Sequence, residues 1–245
     1  MKTIGVDVGG TFTDIVFCDL SANQVAIHKV STTPDDPSRG ILQGIAEICR
    51  DNGIAPADID YLLHGTTTAT NAVLEHKGAR AGMLTNEGFR DIIHIARHQR
   101  VEHYSIMQEL PWQNRPLVKR RHRKVVKGRL GPPHGEELEP LDESGVVAAA
   151  RLLKAEGVEA VAVCFLFSYL NPAHEERAKA ILERELPDVF ACLCAFIGPR
   201  MRGYVGRLEA SLGGAGLRSQ LRVMASNGGV ATPAMVSEKP AMTLL

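Results

Sequence analysis

The sequence predicts an α/β domain built on a mixed sheet, and three features of the 245-residue chain lead to that prediction. Three apolar, β-branched segments open the chain at residues 3–8, 13–19 and 24–31, and the short turns between them favour an antiparallel meander. Strand-like and helix-like segments then alternate along the chain. The nearly continuous apolar segment at residues 158–166 is typical of a strand that is covered on both faces.

Apolar residues at helical spacing, together with residues that begin or end helices, predict the remaining elements. Ile41, Ile45 and Ile48 follow Pro37 at the spacing of one helix face, so we expect a helix over residues 37–51. The other predicted helices span residues 66–76, 87–97, 143–156, 173–186 and 198–216, and the other predicted strands span residues 60–64, 79–84 and 221–225. Residues 98–140 lack a long periodic pattern and are predicted to be irregular, with one or two strands around residues 123–126.

Charge and hydropathy exclude several classes of partner. The chain has 28 basic and 28 acidic residues, so no overall field attracts nucleic acid or an anionic membrane. Its apolar runs are too short to span a membrane, and the N-terminus passes directly into a strand without an apolar signal segment. We therefore expect a cytoplasmic protein that binds neither nucleic acid nor membrane. The basic run at residues 119–124 has few aromatic neighbours, and we interpret it as a solvated or subunit-facing surface.

The turn that follows the first strand predicts a phosphate site. Gly9 and Gly10 let the backbone approach a phosphate closely and turn successive N–H groups toward it. Thr11 and Thr13 add hydroxyl donors, and the carboxylate of Asp7 can orient Mg²⁺ waters or the attacking nucleophile. The alternative is a tight turn capped by an aspartate, but Asp-x-Gly-Gly-Thr between two apolar strands favours phosphate binding. The chain has no P-loop motif, and the glycines lack the strand-to-helix context of a dinucleotide site.

A second polar segment, His-Gly-Thr-Thr-Thr-Ala-Thr-Asn at residues 64–71, follows a predicted strand and opens a predicted helix. Free N–H groups and the positive end of the helix dipole suit an anion there. A threonine N-cap beside a buried histidine explains the same spacing equally well. The spacing alone leaves both interpretations open.

These motifs together resemble the hydantoinase A / 5-oxoprolinase / acetone carboxylase family. The resemblance rests on Ile-Gly-Val-Asp-Val-Gly-Gly-Thr-Phe-Thr-Asp-Ile-Val at residues 4–16, on residues 64–71, and on Thr-Asn-Glu-Gly-Phe-Arg-Asp at residues 85–91. Ser-Asn-Gly-Gly at residues 226–229 is similar to the start of the family's second lobe. The motifs occur in the family's order and extend essentially from end to end of the chain.

The resemblance implies an actin-like, RNase H-like ATPase lobe at residues 1–190, followed by the start of a second lobe at residues 191–245. It also implies that ATP and Mg²⁺ are used to phosphorylate the oxygen of a cyclic amide or an enolised ketone. The activated intermediate is then hydrolysed, as for hydantoins and 5-oxoproline, or carboxylated, as for acetone and acetophenone. A hydantoinase B-like subunit is the implied partner. Because members of the family are usually much longer, we expect this chain to hold only part of an enzyme.

The site residues implied by the resemblance fall into three groups. Catalytic roles are implied for Asp7, His64 and Thr66, with Asp7 also a ligand of Mg²⁺. Contacts with ATP are implied for Gly9, Gly10, Thr11, Thr13, Gly228 and Gly229. Contacts with the substrate or the transferred phosphoryl group are implied for Thr67, Asn71 and Arg97.

Three alternatives to a cyclic amide hydrolase remain open at this point. The first is a subunit of an ATP-dependent ketone carboxylase. The second is an actin-like sugar kinase, which would share the first hairpin but not the His-Gly-Thr-Thr segment. The third is a nucleotide-binding lobe without catalytic activity of its own.

Overall fold

A computed structural model describes residues 1–33, 35–97, 102–191 and 195–244 of the chain, and strands alternate with helices as the sequence predicts. The strands are β1 (Lys2–Val8), β2 (Phe12–Asp19), β3 (Gln24–Ser31), β4 (Tyr61–Thr66), β5 (Ala81–Asn86), β6 (Arg123–Val126), β7 (Arg129–Gly131), β8 (Glu136–Glu139), β9 (Ala160–Val163), β10 (Phe190–Ala191), β11 (Leu221–Met224) and β12 (Val230–Ala231). The α-helices are α1 (Pro37–Asp51), α2 (Thr68–Leu74), α3 (Ile92–Ile95), α4 (Pro111–Asn114), α5 (Glu143–Ala155), α6 (Ala173–Glu185), α7 (Gly198–Gly214) and α8 (Pro233–Glu238).

Contacts within the chain divide it into two units. The first, called unit one, combines Met1–Lys77 with Arg200–Leu245, and the second, unit two, is Gly78–Pro199. The division into lobes at residues 1–190 and 191–245 was drawn from the family resemblance and stays a prediction.

Unit one is built on a mixed six-stranded sheet in the order β12-β11-β4-β1-β2-β3. Strands β1, β2 and β3 form the predicted antiparallel meander, whereas β4 lies parallel to β1 and β11 lies parallel to β4. Helix α1 packs on the meander, against a buried face that includes Ile4, Val6, Ile15 and Phe17. This arrangement confirms the predicted α/β fold with a mixed sheet and flanking helices.

Unit two contains a parallel sheet in the order β10-β9-β5-β6 and a separate antiparallel hairpin of β7 and β8. Apolar side chains of α5 and α6 cover the parallel sheet, and the core includes Leu84, Val146, Leu153, Val161 and Leu182. The almost unbroken apolar sequence of the β9 segment reflects this burial.

Two sequence-based predictions for unit two were wrong. The helix predicted at residues 87–97 is limited to the four residues of α3, because Gly88 adopts a φ of 86° before it and Ala96 adopts a φ of 51° after it. The segment predicted as irregular, with one or two strands around residues 123–126, contains strand β6 there and also the hairpin of β7 and β8. Residues 98–101 of that segment lie outside the described residues. Among the described residues, no helix is both long enough and apolar enough to cross a membrane.

Candidate functional site

The candidate site lies at one edge of the unit-one sheet, where three parallel strands end. The turn at residues 9–11 follows β1, residues 67–71 follow β4, and residues 225–229 follow β11. Because β1, β4 and β11 run in the same direction, their carboxyl ends meet at the same edge, which is the usual place for ligands in such sheets. The topology therefore brings together three of the polar segments that the sequence analysis singled out.

The turn after β1 presents free backbone N–H groups to solvent. Its Gly9 N–H is used internally, since it donates to the carbonyl of Phe12 at 3.0 Å. Within the described ranges, the N–H groups of Gly10 and Thr11 donate to no other protein atom, and both residues are exposed. A Cβ on Gly10 would meet no atom within 4 Å, so the space beside it is open. Two neighbouring N–H groups beside open space suit an anion.

Thr13 supports this turn from inside the unit. Its side chain is fully buried, and its hydroxyl lies 3.0 Å from that of Thr32, just after β3. Thr32 donates its proton to the Gly9 carbonyl at 3.0 Å, so Thr13 must be the donor to Thr32. The main-chain N–H of Thr32 also bonds the carbonyl of Thr11, at 2.9 Å. The placement of Thr13 thus supports the turn rather than a direct phosphate contact, and Thr32 is a supporting residue that the sequence analysis missed.

Asp7 presents a free carboxylate at the same edge. In the antiparallel register Asp7 lies opposite Asp14, whose carboxylate is bonded to Lys29 at 2.9 Å. Asp7 is exposed, and in the part of the chain that the structure describes its carboxylate has no hydrogen bond or ion pair. An exposed carboxylate without a protein partner is available to a cation or to a nucleophile's proton.

Gly65 makes room for the Asp7 side chain. The parallel register of β1 and β4 sets Asp7 opposite Gly65, and a Cβ on Gly65 would lie 3.1 Å from the Asp7 carboxylate oxygen Oδ1. That distance is shorter than ordinary van der Waals contact. The glycine of the His-Gly-Thr-Thr segment therefore lets the carboxylate lie against the backbone of β4.

Hydroxyl groups fasten the start of α2 to the end of β4. Thr66 is buried, and its hydroxyl donates to the hydroxyl of Thr68 at 2.8 Å. Thr67 donates to the Val8 carbonyl at 3.4 Å and accepts from the Asn71 amide at 3.2 Å. Helix α2 has seven residues and is shorter than the helix predicted at residues 66–76. Thr67 is its N-cap residue, but the Thr67 side chain accepts no hydrogen bond from the backbone of the helix. These contacts join the segment after β4 to the end of β1.

His64 faces the interior, on the opposite side of the sheet from Gly65 and Asp7. It is 1% exposed, and its Nε2 lies 2.7 Å from the hydroxyl of Tyr204 on α7. Burial lowers the pKa of His64 to about 4, because the charged imidazolium is poorly solvated there, and an interaction with the Val6 carbonyl only partly opposes this shift. Burial also raises the pKa of Tyr204. His64 is thus a neutral interior residue, so its placement does not favour a direct contact with substrate.

The remaining predicted site residues belong to two different units. Gly228, at a φ of 83°, donates to the Ala225 carbonyl at 2.9 Å, and the Gly229 carbonyl accepts from Ala225 at 2.8 Å. These bonds close a tight turn between β11 and β12 at the candidate edge. Arg97 is exposed and belongs to unit two. The structure therefore groups the two glycines with the segments after β1 and β4 in unit one.

Comparison with known proteins agrees with this description of the chain. Residues 3–186 match the family model described as the hydantoinase/oxoprolinase N-terminal region. Caprolactamase subunit alpha of Pseudomonas jessenii is 33% identical over 96% of this chain and 37% of its own length. Acetophenone carboxylase gamma subunit of Aromatoleum aromaticum is 35% identical over 77% of this chain and 26% of its own length.

Two solved structures resemble the chain closely. The crystal structure of the ATP-dependent caprolactamase of Pseudomonas jessenii has a TM-score of 0.80 at 32% identity, covering 94% of this chain and 36% of that one. Nucleotide-free acetone carboxylase has a TM-score of 0.82 over the whole of this chain and 39% of that one, at 23% identity, which supports the fold alone. The chain thus spans less than two fifths of these relatives.

The burial of His64 predicts a specific pH dependence of stability. An unfolded histidine takes up a proton near pH 6.5, whereas His64 in the fold resists protonation down to about pH 4. Between these pH values the unfolded chain binds a proton at His64 and the folded chain does not. Protonation therefore stabilises the unfolded state, and the free energy of unfolding should fall by about 3 kcal/mol as the pH falls from 7 to 4. Urea unfolding at several pH values measures this loss. In the variant His64→Gln the free energy of unfolding should depend less on pH, whereas the exposed control His134→Gln should keep the wild-type dependence. The same pH dependence in all three proteins would contradict the burial of a neutral His64.

Proposed function

This chain belongs to the hydantoinase/oxoprolinase family, and we propose that it supplies the phosphate-binding lobe of an ATP-dependent enzyme that hydrolyses cyclic amides of the hydantoin or 5-oxoproline type. One observation carries the proposal: the carboxylate of Asp7 and the N–H groups of Gly10 and Thr11, which have no partner among the described residues, lie at the same sheet edge. The caprolactamase of Pseudomonas jessenii, which this chain resembles, is an ATP-dependent enzyme, and this supports the use of ATP.

The proposed chemistry overcomes the stability of the amide. Water attacks an amide slowly because its carbonyl carbon is a weak electrophile and the nitrogen is a poor leaving group. Transfer of the γ-phosphoryl group of ATP to the carbonyl oxygen breaks its bond to ADP and makes the carbonyl carbon more electrophilic. Water then adds to that carbon, the ring C–N bond breaks, and a second water releases phosphate from the resulting acyl phosphate. Phosphoryl transfer requires positioning and neutralisation of charge more than covalent chemistry from the protein. Backbone N–H groups and a carboxylate-held cation meet that requirement.

The described residues fit a nucleotide phosphate with Mg²⁺. Gly10 leaves open space where a side chain would otherwise lie, so a phosphate can reach the N–H groups of Gly10 and Thr11. The described part of the chain contains no cluster of three or more potential metal ligands. Protein-bound Mg²⁺ usually takes one or two carboxylates and completes its shell with phosphate oxygens and water. Asp7 would hold the ion, which when bound neutralises charge on the phosphates.

The other proposed roles follow from side-chain placement. Thr67 and Asn71, which bond each other beside the end of β1, would contact the substrate or the transferred phosphoryl group. Gly228 and Gly229 would approach the nucleotide from the third segment of the same edge. His64, Thr66 and Thr13 are buried, and we propose that they act through the backbone segments they hold. A substrate contact by Arg97 stays a proposal that rests on the family resemblance alone.

A ketone carboxylase is the second candidate function, because acetophenone carboxylase gamma subunit is 35% identical over 77% of the chain. Caprolactamase subunit alpha and acetophenone carboxylase gamma subunit are each one subunit of an enzyme, which supports the proposal that this lobe works with a partner. We propose that the partner is a hydantoinase B-like subunit. Membership of the family favours either function over a sugar kinase.

Binding of Mg-ATP tests the proposed phosphate site. Isothermal titration calorimetry should detect binding that depends on Mg²⁺, and Asp7→Asn should weaken it about tenfold or more, because the loss of the carboxylate costs a charge-assisted contact of about 1.5–3 kcal/mol. The control Asp51→Asn changes an exposed aspartate at the end of α1 and should bind like the wild type. The absence of any heat at millimolar nucleotide would contradict the proposal.

The fit of Asp7 against Gly65 gives a steric test of the same site. Gly65→Ala places a methyl group about 3.1 Å from the Asp7 carboxylate, so the carboxylate must move and Mg-ATP should bind several-fold more weakly. Gly5→Ala is the matched control, because Gly5 lies on the same strand as Asp7 and a Cβ there meets nothing within 4 Å. Equal effects of the two substitutions on the dissociation constant would count against the assigned role of Gly65.

Phosphate release separates the two candidate functions. With the partner subunit present, a cyclic amide hydrolase should release phosphate from ATP faster when hydantoin, 5-oxoproline or a lactam is added. A ketone carboxylase should respond to acetone or acetophenone together with bicarbonate instead. Stimulation by ketone and bicarbonate alone would reverse the order of the two proposals.

A further inference from the structure

A buried hydrogen-bond network links α7 to the strand that carries the His-Gly-Thr-Thr segment. Tyr204 is 2% exposed, and its hydroxyl lies 2.7 Å from Nε2 of His64. Two residues farther along β4, Thr66 bonds Thr68, the first residue of α2. The phenol oxygen of Tyr204 therefore connects α7 to the end of β4, and Thr66 connects that end to α2.

The network lies directly behind the candidate site. Side chains alternate along β4, so His64 and Thr66 point into the core while Gly65 between them faces Asp7. A shift of either buried side chain moves the backbone of Gly65 relative to the Asp7 carboxylate. It also moves Thr67, whose hydroxyl reaches the Val8 carbonyl.

Breaking the network is energetically unfavourable, because its polar atoms have no access to water. A buried donor or acceptor that loses its partner destabilises the folded state, because water cannot replace that partner. An α7 that leaves its position therefore leaves Nε2 of His64 without its partner, whereas an α7 in place holds His64. This coupling works at neutral pH, since the imidazole of His64 is uncharged there.

We propose that Tyr204 is a positioning residue for the phosphate site: its hydroxyl holds the junction of β4 and α2 in register with the end of β1, so that Gly65 and Thr67 stay beside Asp7. The inference rests on the proposed function. Neither the opening hairpin nor the His-Gly-Thr-Thr segment contains Tyr204, which is 140 residues from His64 in the chain.

Removal of one hydroxyl tests this inference. Tyr204→Phe keeps the ring and should raise the dissociation constant of Mg-ATP about fivefold, which corresponds to the loss of one ordinary hydrogen bond. Tyr61→Phe is the matched control, because Tyr61 lies on the same strand β4 but is 51% exposed, and it should leave the affinity unchanged. Wild-type affinity in Tyr204→Phe would overturn the inference and leave the proposed function standing. A wild-type chain that binds no Mg-ATP would remove the proposed function and this inference with it.

Hydrogen exchange distinguishes positioning from general stabilisation. In Tyr204→Phe, peptides that cover residues 62–72 should exchange faster, while peptides from α5 should exchange at the wild-type rate. Faster exchange throughout the chain would identify Tyr204 as a stabilising residue only and overturn the inference. If Tyr204→Phe does not fold, His64→Leu takes its place, since it removes the partner of the Tyr204 hydroxyl and keeps a side chain of similar size at the buried position. Wild-type exchange over residues 62–72 in that variant would also overturn the inference.

Discussion

The parallel pairing of β1 with β4 decides where every polar group of the candidate site lies. It sets Val6 opposite His64 and Asp7 opposite Gly65, so that one pair belongs to the core and the next belongs to the site. Because side chains alternate along a strand, a slip of one residue would bring the imidazole beside the carboxylate and bury a glycine. The burial of Leu62 and the packing on the inner face hold the register against such a slip.

Backbone groups form the site, and buried side chains hold that backbone. The turn after β1 is fixed through the chain of hydroxyls from Thr13 to Thr32 to the Gly9 carbonyl, and the junction after β4 is fixed through His64, Thr66 and Tyr204. This arrangement explains how residues of the proposed phosphate-binding motif can be fully buried. Donors that are held before a phosphate arrives need little reorganisation to bind it, which is the condition for effective electrostatic stabilisation.

Local patterns in the sequence predicted most of the fold and the segments that form the candidate site, but not all the side chains that support them. The meander and the helix at residues 37–51 were predicted because periodicity and starting residues agree there. The prediction of a helix at residues 87–97 was wrong, because Gly88 and Ala96 adopt left-handed backbone conformations that periodicity does not reveal. The inward direction of His64 could have been inferred, since it alternates with Gly65 and shares its face with the apolar Leu62. The contact between Tyr204 and His64 could not be inferred from the sequence, because it depends on tertiary packing between residues 140 positions apart.

The central claim is that the segments after β1 and β4 grip the phosphates of a nucleotide together. An NMR titration of the isotopically labelled chain with Mg-ATP tests it most directly, because each backbone amide reports on its own surroundings. The account predicts that the amide signals of Gly10 and Thr11 shift most, that those of residues 65–68 shift with them, and that the rest of the chain changes little. Shifts confined to other parts of the chain, or no shifts at saturating Mg-ATP, would contradict it.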